Sequence, residues 1–292
     1  MLLSIAGISK QIYSYNVKHF DDKKNKDVFY DTLIKEIFDK NYQKYGSPRM
    51  TIAVNQRLSE LNMKPINHKK VERIMNKLGL KARPAVRKYD SYRGKIGKTA
   101  KNLLLVKTFD EEKKYFYRKR NFETTGPLQI AGTDVTVFIM PFGKLYLSPI
   151  IDFHTREILA YDLSEKPDYR QIDRMFKMLE QKQYQTKGLI LHSDQGWQYQ
   201  MKCYVDKLKK LEILQSMSRK GNCLDNSPTE NFFGRLKEEM FYRKEKTFTN
   251  MHQLKKAIID YIDYWNNYRI VTRLKMSPFQ YKNSLLNVNI GV

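Results

Sequence analysis

The stretch that decides the fold is residues 188–196, GLILHSDQG. Its apolar first half predicts a buried strand, and Gly196 predicts a turn two residues after Asp194. An acid at the end of a buried strand projects its carboxylate from the carboxyl edge of the sheet, where α/β proteins tend to build their sites. Asp194 is therefore the first candidate site residue.

Two further acids lie in comparable surroundings. Asp134 stands in residues 133–136, TDVT, and Glu230 stands in residues 225–233, DNSPTENFF, with 35 residues between Asp194 and Glu230. Mg²⁺ prefers hard oxygen ligands, and two such ions can activate the attacking oxygen and stabilise the leaving oxygen of a phosphoryl transfer. The pattern therefore predicts a catalytic and metal-binding triad of Asp134, Asp194 and Glu230.

Each acid also has a purely structural interpretation. Acids at strand ends and in first helical turns form turns and stabilise helix dipoles. Glu230 occupies the third position of a helix opened by Ser227 and Pro228, where a capping box also favours glutamate. In favour of the triad, Gly234 and Lys237 share one helical face with Glu230 and offer a gap and a cation for phosphate.

The composition indicates a nucleic-acid partner. The chain has 292 residues, with 54 Lys and Arg against 31 Asp and Glu, and a formal charge of +23. Such a charge favours a polyanion, because neutralising phosphates releases counterions. Residues 1–125 hold 29 of the basic and only 13 of the acidic residues. Residues 1–125 are therefore expected to provide most of the DNA-binding surface.

The sequence favours a cytoplasmic, nucleoid-associated location. No apolar run approaches the roughly 20 residues of a membrane span, and the start, MLLS, lacks the basic flank and the length of a signal peptide. Cys203 and Cys223 have no CxxC spacing, which indicates two free thiols in a reducing compartment.

Residues 1–80 predict an all-α region that contains a helix-turn-helix at about 47–79. Residues 1–20 predict two short helices and residues 28–45 a longer one; Ser47 and Asn67 then cap two further helices. The last helix has a basic face, which suits either DNA contact or a solvated face on a small bundle. The candidate DNA-contacting residues are Lys69, Lys70, Arg73 and Lys77.

Residues 81–125 predict a basic linker. They interleave Lys and Arg with Tyr89 and Tyr92 and show little apolar periodicity. Such a segment can lie along a phosphate backbone with its tyrosines stacked on bases, or it can be a solvated tether.

Residues 126–240 predict an α/β domain. Strand-like runs at 128–140, 144–153 and 157–163 predict two successive hairpins, and helices at 169–183 and 198–211 alternate with later strands at 188–193 and 213–215. The predicted fold is therefore a mixed sheet of three antiparallel strands plus parallel strands, flanked by helices. Pairing of the first and fourth strands would bring Asp134 beside Asp194.

The rest of the chain predicts a loop and a helical extension. Residues 219–225 predict a mobile loop before Glu230, and residues 241–292 a C-terminal helical extension. The aromatic stripe of a helix at 251–268 is more typical of a core than of a nucleotide platform. Arg269, Arg273 and Lys275 follow that helix and are further candidates for DNA contact.

In combination these motifs resemble the DDE transposase/integrase superfamily. Within it the chain resembles, from end to end, the second-reading-frame transposases of the insertion-sequence-three family. The resemblance rests on five stretches: 45–49 (YGSPR), 67–71 (NHKKV), 133–136 (TDVT), 192–196 (HSDQG) and 225–233 (DNSPTENFF).

The resemblance implies a ribonuclease-H-like core at residues 126–240, preceded by the helix-turn-helix domain. It implies that Asp134, Asp194 and Glu230 bind two Mg²⁺ ions, with Mn²⁺ as a substitute, and that the enzyme cuts an element's ends and joins a 3′-hydroxyl to another strand. Lys237 would contact the terminal DNA. Asn226 and His192 are further candidates for substrate contact, although a core role also suits His192.

The implied partners are DNA and protein. They are the terminal inverted repeats and target DNA, other copies of the chain on DNA, and an upstream-frame helix-turn-helix/leucine-zipper product. This sequence has no such zipper, so a partial product is expected. A chain of that kind could also be a non-catalytic protein that binds transposon ends and regulates transposition, and this is the alternative function.

Two positions depart from the family pattern. Ala131 stands where tryptophan is usual, which bears on core packing. Ile270 and Val271 follow Arg269 where proline and histidine are typical, which bears on a DNA contact. Neither departure touches the three acids.

Overall fold

The computed structural model describes residues 9–11, 13–14, 20–82, 99–219 and 226–288. The chain forms two compact units, Met1–Pro84 and Ala85–Val292. Most of the predicted helices in residues 1–20, residues 83–98 of the predicted linker and nearly all of the predicted loop at 219–225 fall outside the described residues. Within the described ranges, no helix is long and apolar enough to cross a membrane.

The first unit contains three described helices, α1 (Phe20–Lys40), α2 (Ser47–Glu60) and α3 (His68–Lys77). Pro48 lies in the first turn of α2, and the Asn67 side chain caps α3 by accepting a 2.8 Å hydrogen bond from the Lys70 amide. In the turn between them, the Asn55 side chain bonds to both backbone groups of Ile66 at 2.9–3.0 Å. These bonds fix the helix-turn-helix that the sequence predicts.

The second unit begins with an element that the sequence interpretation missed. Strands β1 (Leu105–Asp110) and β2 (Tyr115–Arg120) form an antiparallel hairpin inside the predicted linker. Lys114 takes the positive φ of 52° in the turn between them. Neither strand alternates apolar and polar residues, so no strand pattern with a period of two marked the segment, and the linker interpretation is wrong for residues 105–120.

The central sheet is built from β3 (Ile130–Thr133), β4 (Thr136–Met140), β5 (Gly143–Asp152), β6 (Ile158–Ser164), β7 (Ile190–Ser193) and β8 (Leu214–Met217). Strands β3 and β4 pair with successive parts of β5 along one edge, and β6 pairs with the other edge. All three pairings are antiparallel, whereas β7 is parallel to both β3 and β8. This mixed sheet confirms the predicted fold class.

One strand differs from the prediction. The run 128–140 was expected to be a single strand, but it is interrupted at Asp134 and Val135 between β3 and β4. Asp134 Oδ1 accepts a 2.7 Å hydrogen bond from the Val135 amide. This local bond competes with a continuous ladder, because a short acidic side chain can satisfy backbone groups nearby.

Helices α4 (Tyr169–Gln181) and α5 (Lys202–Lys210) flank the sheet, with a short 3₁₀ turn, Trp197–Gln200, before α5. Ala131 is fully buried in the core that they share, so a small side chain fills this family position. The aromatic side chains of this core, Phe176, Tyr199 and Tyr204, are fully buried.

The chain then continues through α6 (Ser227–Leu236), the π-helical turn Lys237–Phe241, α7 (Met251–Asn267) and α8 (Pro278–Val288). Tyr261 and Trp265 of α7 are buried, as the core interpretation of the aromatic stripe predicts. Arg269 is also buried, and it pairs with Glu239 instead of reaching solvent. The expectation that Arg269 touches DNA is therefore wrong.

Candidate active site

Two of the three candidate acids extend from neighbouring strand ends. Strands β3 and β7 are parallel and place Gly132 opposite His192. Asp134 and Asp194 each follow two residues later, so they leave the same edge of the sheet in register. Adjacent strands lie about 4.8 Å apart, and the two side chains therefore start from neighbouring positions.

Backbone amides orient both aspartates. Asp134 Oδ1 accepts from the Val135 amide at 2.7 Å, and Asp194 Oδ1 accepts from the Gly196 amide at 2.9 Å. A Cβ at Gly196 would lie only 2.9 Å from Asp194 Oδ1 and 2.5 Å from Gln198 Nε2. A side chain at position 196 would therefore require the ends of the Gln198 and Asp194 side chains to shift.

Helix α6 brings Glu230 toward these strand ends. A Cβ at Gly132 would collide with the Thr229 hydroxyl and would lie 2.5 Å from Phe153 Cε1, so only glycine lets α6 approach β3 this closely. At the start of the helix, Asn226 Nδ2 donates a 3.2 Å hydrogen bond to the Thr133 carbonyl. Both contacts come from residues just before Glu230 in sequence, and they hold the first turn of α6 against the end of β3.

The three carboxylates influence one another's protonation. Burial raises the pKa of Asp134 well above its usual value, and the charges of Asp194 and Glu230 raise it further, while the Val135 amide and Lys237 oppose the rise. Burial and the charge of Asp194 likewise raise the pKa of Glu230. Burial also raises the pKa of Asp194, against the bond from Gly196. The acids therefore share one electrostatic environment.

Lys237 supplies positive charge to this environment. It follows α6 directly, and its amine lies 5.5 Å from the centroid of the Phe138 ring. Burial lowers the pKa of Lys237, and the charge of Asp134 partly restores it. A cation held beside the acids on an apolar ring is suited to neutralise a phosphate.

The three carboxylates are suitable ligands for a hard divalent cation, but they are not gathered around a single metal position. Carboxylates that raise one another's pKa gain from a cation, which offsets their repulsion. In the part of the chain that the structure describes, however, no group of three or more His, Cys, Asp or Glu side chains is gathered tightly enough to hold a metal ion. Asp134 and Asp194 line a cavity of about 330 Å³ whose lining does not include Glu230.

Two other predicted site residues lie inside the protein. His192 is fully buried in β7, and its Nδ1 shares a 2.8 Å hydrogen bond with Ser216 Oγ. Asn226 is buried and anchors α6. These positions favour structural roles, namely a core histidine and a residue that positions Glu230.

The four basic residues proposed for α3 divide into two pairs. Lys69 and Arg73 are exposed. Lys70 lies 3.8 Å from the centroid of the Tyr30 ring, and Lys77 forms a 2.6 Å ion pair with Asp31. Both of the latter contacts are made with α1, so part of the predicted basic face stabilises the helical unit itself.

The sequence interpretation missed Trp197. This side chain follows Gly196, lines the cavity beside Asp134 and Asp194, and is 44% exposed. The signal in the sequence is a tryptophan directly after the strand-end motif HSDQG. Its exposed ring is suited to stack on a nucleobase.

Comparisons with known proteins agree with this arrangement. Residues 124–223 and 230–286 match models of the integrase core domain, and residues 24–89 match a helix-turn-helix-like domain. The transposase InsK for insertion sequence element IS150 from Escherichia coli (strain K12) is 41% identical over 283 residues, which cover 97% of this chain and 92% of that protein.

Two further proteins are similar. An uncharacterized transposase-like protein from Haemophilus influenzae is 48% identical over 223 residues, which cover 76% of this chain and 95% of its own. The solved catalytic core of the HTLV-2 integrase in complex with magnesium is 17% identical, with a TM-score of 0.41 over 53% of this chain and 97% of that one. On the extent and identity of the match to the IS150 transposase, the chain belongs to the insertion-sequence-three family of DDE transposases.

Proposed function

We propose that this transposase carries out Mg²⁺-dependent cleavage and strand transfer at the ends of an insertion sequence, with Asp134, Asp194 and Glu230 as its catalytic, metal-binding residues. The observation that supports this most strongly is the parallel register of β3 and β7, which sends Asp134 and Asp194 out of adjacent strand ends. The close contact of Thr229 with Gly132 adds the helix that carries Glu230.

The proposed reaction is an in-line phosphoryl transfer. Two bound divalent ions would supply Lewis-acid stabilisation of the attacking and leaving oxygens, and Mn²⁺ could replace Mg²⁺. The carboxylates of the triad would hold the ions. Closure of the Glu230 side chain toward the aspartates is part of the proposal, because the three acids are not gathered tightly in the structure.

The other residues of the site would bind and orient DNA. Lys237 would neutralise a phosphate near the cut, and Trp197 would stack on a base beside the cavity. Asn226 would fix the start of α6 through its bond to Thr133 and so hold Glu230 in place. His192 would keep the end of β7 rigid through Ser216.

The domain organisation is part of the same proposal. Residues 1–80 would bind the terminal repeats through the helix-turn-helix, with exposed Lys69 and Arg73 as the contacts to phosphate or base. Residues 126–240 would form the catalytic core and 241–292 the helical extension. The protein would act in the bacterial cytoplasm as a homo-oligomer on DNA, with target DNA and an upstream-frame helix-turn-helix/leucine-zipper product as further partners.

A strand-transfer assay tests this function. The substrate is the DNA that flanks the coding region, with Mg²⁺ and with the upstream-frame segment supplied. We expect the wild type to cut and join these ends, and Asp194→Asn to bind them equally well but to lose at least about 100-fold in rate. If both proteins bind alike and neither cuts, the chain is a non-catalytic regulator that binds transposon ends.

A further inference from the structure

The hairpin β1–β2 has a firmly anchored base. Leu104 is buried against Ile130 and Phe153, and Phe122 packs edge-on against Phe153 with 5.8 Å between the ring centroids. The Leu103 amide donates a 2.9 Å hydrogen bond to Ser216 Oγ of β8. The base of the hairpin is thus fixed to the edge of the central sheet.

Beyond this base the hairpin exposes large apolar side chains to solvent. All of β2 except Arg120 is exposed, and Phe116 reaches 61% exposure. Exposure of apolar surface to water is unfavourable, so a concentration of exposed aromatic residues on one element indicates a binding surface. The exposed large side chains of the hairpin are Val106, Phe109, Tyr115, Phe116 and Tyr117.

The strand register sorts these residues into an ordered surface. Phe109 lies opposite Phe116, with 4.9 Å between their ring centroids. Lys107, on the same face, holds its amine 4.2 Å from the centroid of the Phe116 ring. Arg118 lies opposite Lys107, so this face has rings near the turn and cations near the base.

The second face repeats the arrangement. Tyr115 and Tyr117 lie two residues apart in β2, with 6.0 Å between their ring centroids. Lys119 lies on the same face, closer to the base, opposite Val106. Both faces of the ribbon therefore present aromatic rings at its outer end and positive charge at its inner end.

We propose that the hairpin β1–β2 binds an unpaired DNA strand, with its cations on the phosphates and its rings stacked on the bases. A surface that combines exposed aromatic rings with cations is the kind that binds single-stranded nucleic acid. Within a duplex the base faces are already stacked on one another, so exposed rings have most to gain from unpaired bases. This role needs neither the metal ions nor the carboxylates of the proposed reaction.

The charge of the hairpin β1–β2 favours DNA as its ligand over a second copy of the chain. Residues 105–120 contain six basic and three acidic residues, in a chain of formal charge +23. In a symmetric contact the same patch meets itself, so its net positive charge is brought against an equal positive charge. Such like-charge contacts oppose association, whereas DNA offers the complementary charge.

The test measures binding of the full chain to a fluorescent single-stranded oligonucleotide and to a duplex of the same length, without divalent ions. Phe116→Ala and Tyr117→Ala each remove one ring from one face. Each should weaken single-strand binding by between about 5-fold and 100-fold, the range for loss of one stacked base. Duplex binding should change less than about twofold, because it uses phosphate contacts.

Tyr268→Ala is the matched control, because Tyr268 is 69% exposed and lies outside the hairpin, after α7. It should leave single-strand affinity unchanged. Phe116→Trp keeps a stacking ring and should retain binding, whereas Phe116→Leu keeps apolar bulk without the ring and should lose it. This pair separates stacking from a collapse of the hairpin.

Substitution of the cations gives an independent measurement. Lys107→Gln and Arg118→Gln should each lower the slope of log affinity against log salt by about 0.7. The proposal is overturned if the alanine variants bind single strands like the wild type, or if Tyr268→Ala weakens binding equally. It is also overturned if the variants lose self-association in sedimentation while DNA affinity is retained, because the surface would then bind a second copy.

Discussion

The buried ion pair of Glu239 with Arg269 and the three candidate site acids differ in how their charge is compensated. Glu239, in the π-helical turn, accepts hydrogen bonds of 2.8 and 2.7 Å from Arg269 and one of 2.7 Å from the Tyr261 hydroxyl. In contrast, the charges of Asp194 and Glu230 raise the pKa of Asp134, the charge of Asp194 raises the pKa of Glu230, and Lys237 opposes the rise at Asp134. The Glu239–Arg269 pair is the compensated group, and the three candidate acids, whose charges Lys237 opposes only in part, are the uncompensated group.

The compensated pair is sealed inside the protein. Arg269 lies under the Trp265 ring, with its guanidinium carbon 4.6 Å from the ring centroid. Burial alone would lower the pKa of Arg269, but its bonds and proximity to Glu239 raise that pKa above the usual value. The pair ties the segment after Lys237 to the end of α7 and so stabilises the position of the cation beside the acids.

Arg269→Ala should have the largest effect on stability. It leaves Glu239 buried without a cation, and loss of one partner of such a pair costs about 3–5 kcal/mol. Urea unfolding measures this loss. Arg273→Ala is the control, because Arg273 donates only to the Phe153 and His154 carbonyls, and it should cost less than about 1.5 kcal/mol.

A double substitution sharpens this prediction. Glu239→Met with Arg269→Leu removes both charges and should recover most of the lost stability, because apolar residues can replace a buried ion pair. If the pair is structural, strand transfer by the double variant should recover with the fold. If the double variant recovers its stability but not its strand-transfer activity, the Glu239–Arg269 pair has a role in the reaction beyond stabilising the fold.

Gly132→Ala tests whether close packing of α6 against β3 brings Glu230 toward Asp134 and Asp194. The added methyl would collide with Thr229 and Phe153, and overpacking of this kind costs about 1–3 kcal/mol. Because the collision pushes α6 away from β3, activity should fall more than stability alone explains. Gly234→Ala, on the open side of α6, should instead gain about 0.5–1 kcal/mol.

If Gly132→Ala retains strand transfer in conditions where it remains folded, close packing of α6 is not what brings Glu230 to the site. Thr229→Ala supplies a further check. It removes the hydroxyl from the collision and should restore part of the stability of Gly132→Ala, as measured by urea unfolding.

Asp134→Asn should stabilise the folded protein by roughly 1 kcal/mol near neutral pH, since it removes an enclosed and repelled charge. The folded-state pKa of Asp134 is raised above its usual value of 3.8, so its contribution to wild-type stability is fully present below pH 3.8. That contribution is lost as the pH rises through the raised pKa. The advantage of Asp134→Asn should therefore grow over the same pH range.

Urea unfolding at several pH values between 4 and 8 measures this advantage. Asp260→Asn is the control, because Asp260 is exposed and pairs with Lys256 on the same helix, and it should change stability by less than about 0.5 kcal/mol. A variant at Asp134 that is less stable than the wild type at every pH would show that the wild-type charge is already compensated.

The sequence predicted the strand ends of the site better than its assembly. A buried apolar run followed by an acid and a glycine indicates a strand that ends in a turn. The pairing of β3 with β7 then places Asp134 beside Asp194. The contact of Gly132 with Thr229 joins positions 97 residues apart, and no local pattern encodes it. Long-range packing decided where Glu230 lies.

Charged residues were the hardest to interpret. Arg269 and Lys77 have the composition of a DNA contact, but each is paired with an acid far away in sequence. The hairpin β1–β2 was missed for a related reason, because its many cations suggested a solvated linker and its aromatic residues do not alternate with polar ones. Charge composition indicates a polyanionic partner for the whole chain, but the partner of each cation depends on the tertiary structure.

The smallest expected effects extend the same contrast to the helix-turn-helix. Lys77 is paired with Asp31 across exposed surface, so Lys77→Ala should cost less than about 1 kcal/mol and leave DNA affinity nearly unchanged. Arg73 is exposed on the same helix, so Arg73→Ala should leave stability unchanged. If Arg73 contacts a phosphate, its loss should lower the slope of log affinity against log salt by about 0.9 on duplex DNA with the terminal repeats. Equal salt slopes for the two variants would mean that Lys77 contacts DNA as Arg73 does, in spite of its ion pair with Asp31. In that case an ion pair with an acid would not show that a surface cation is unavailable to DNA.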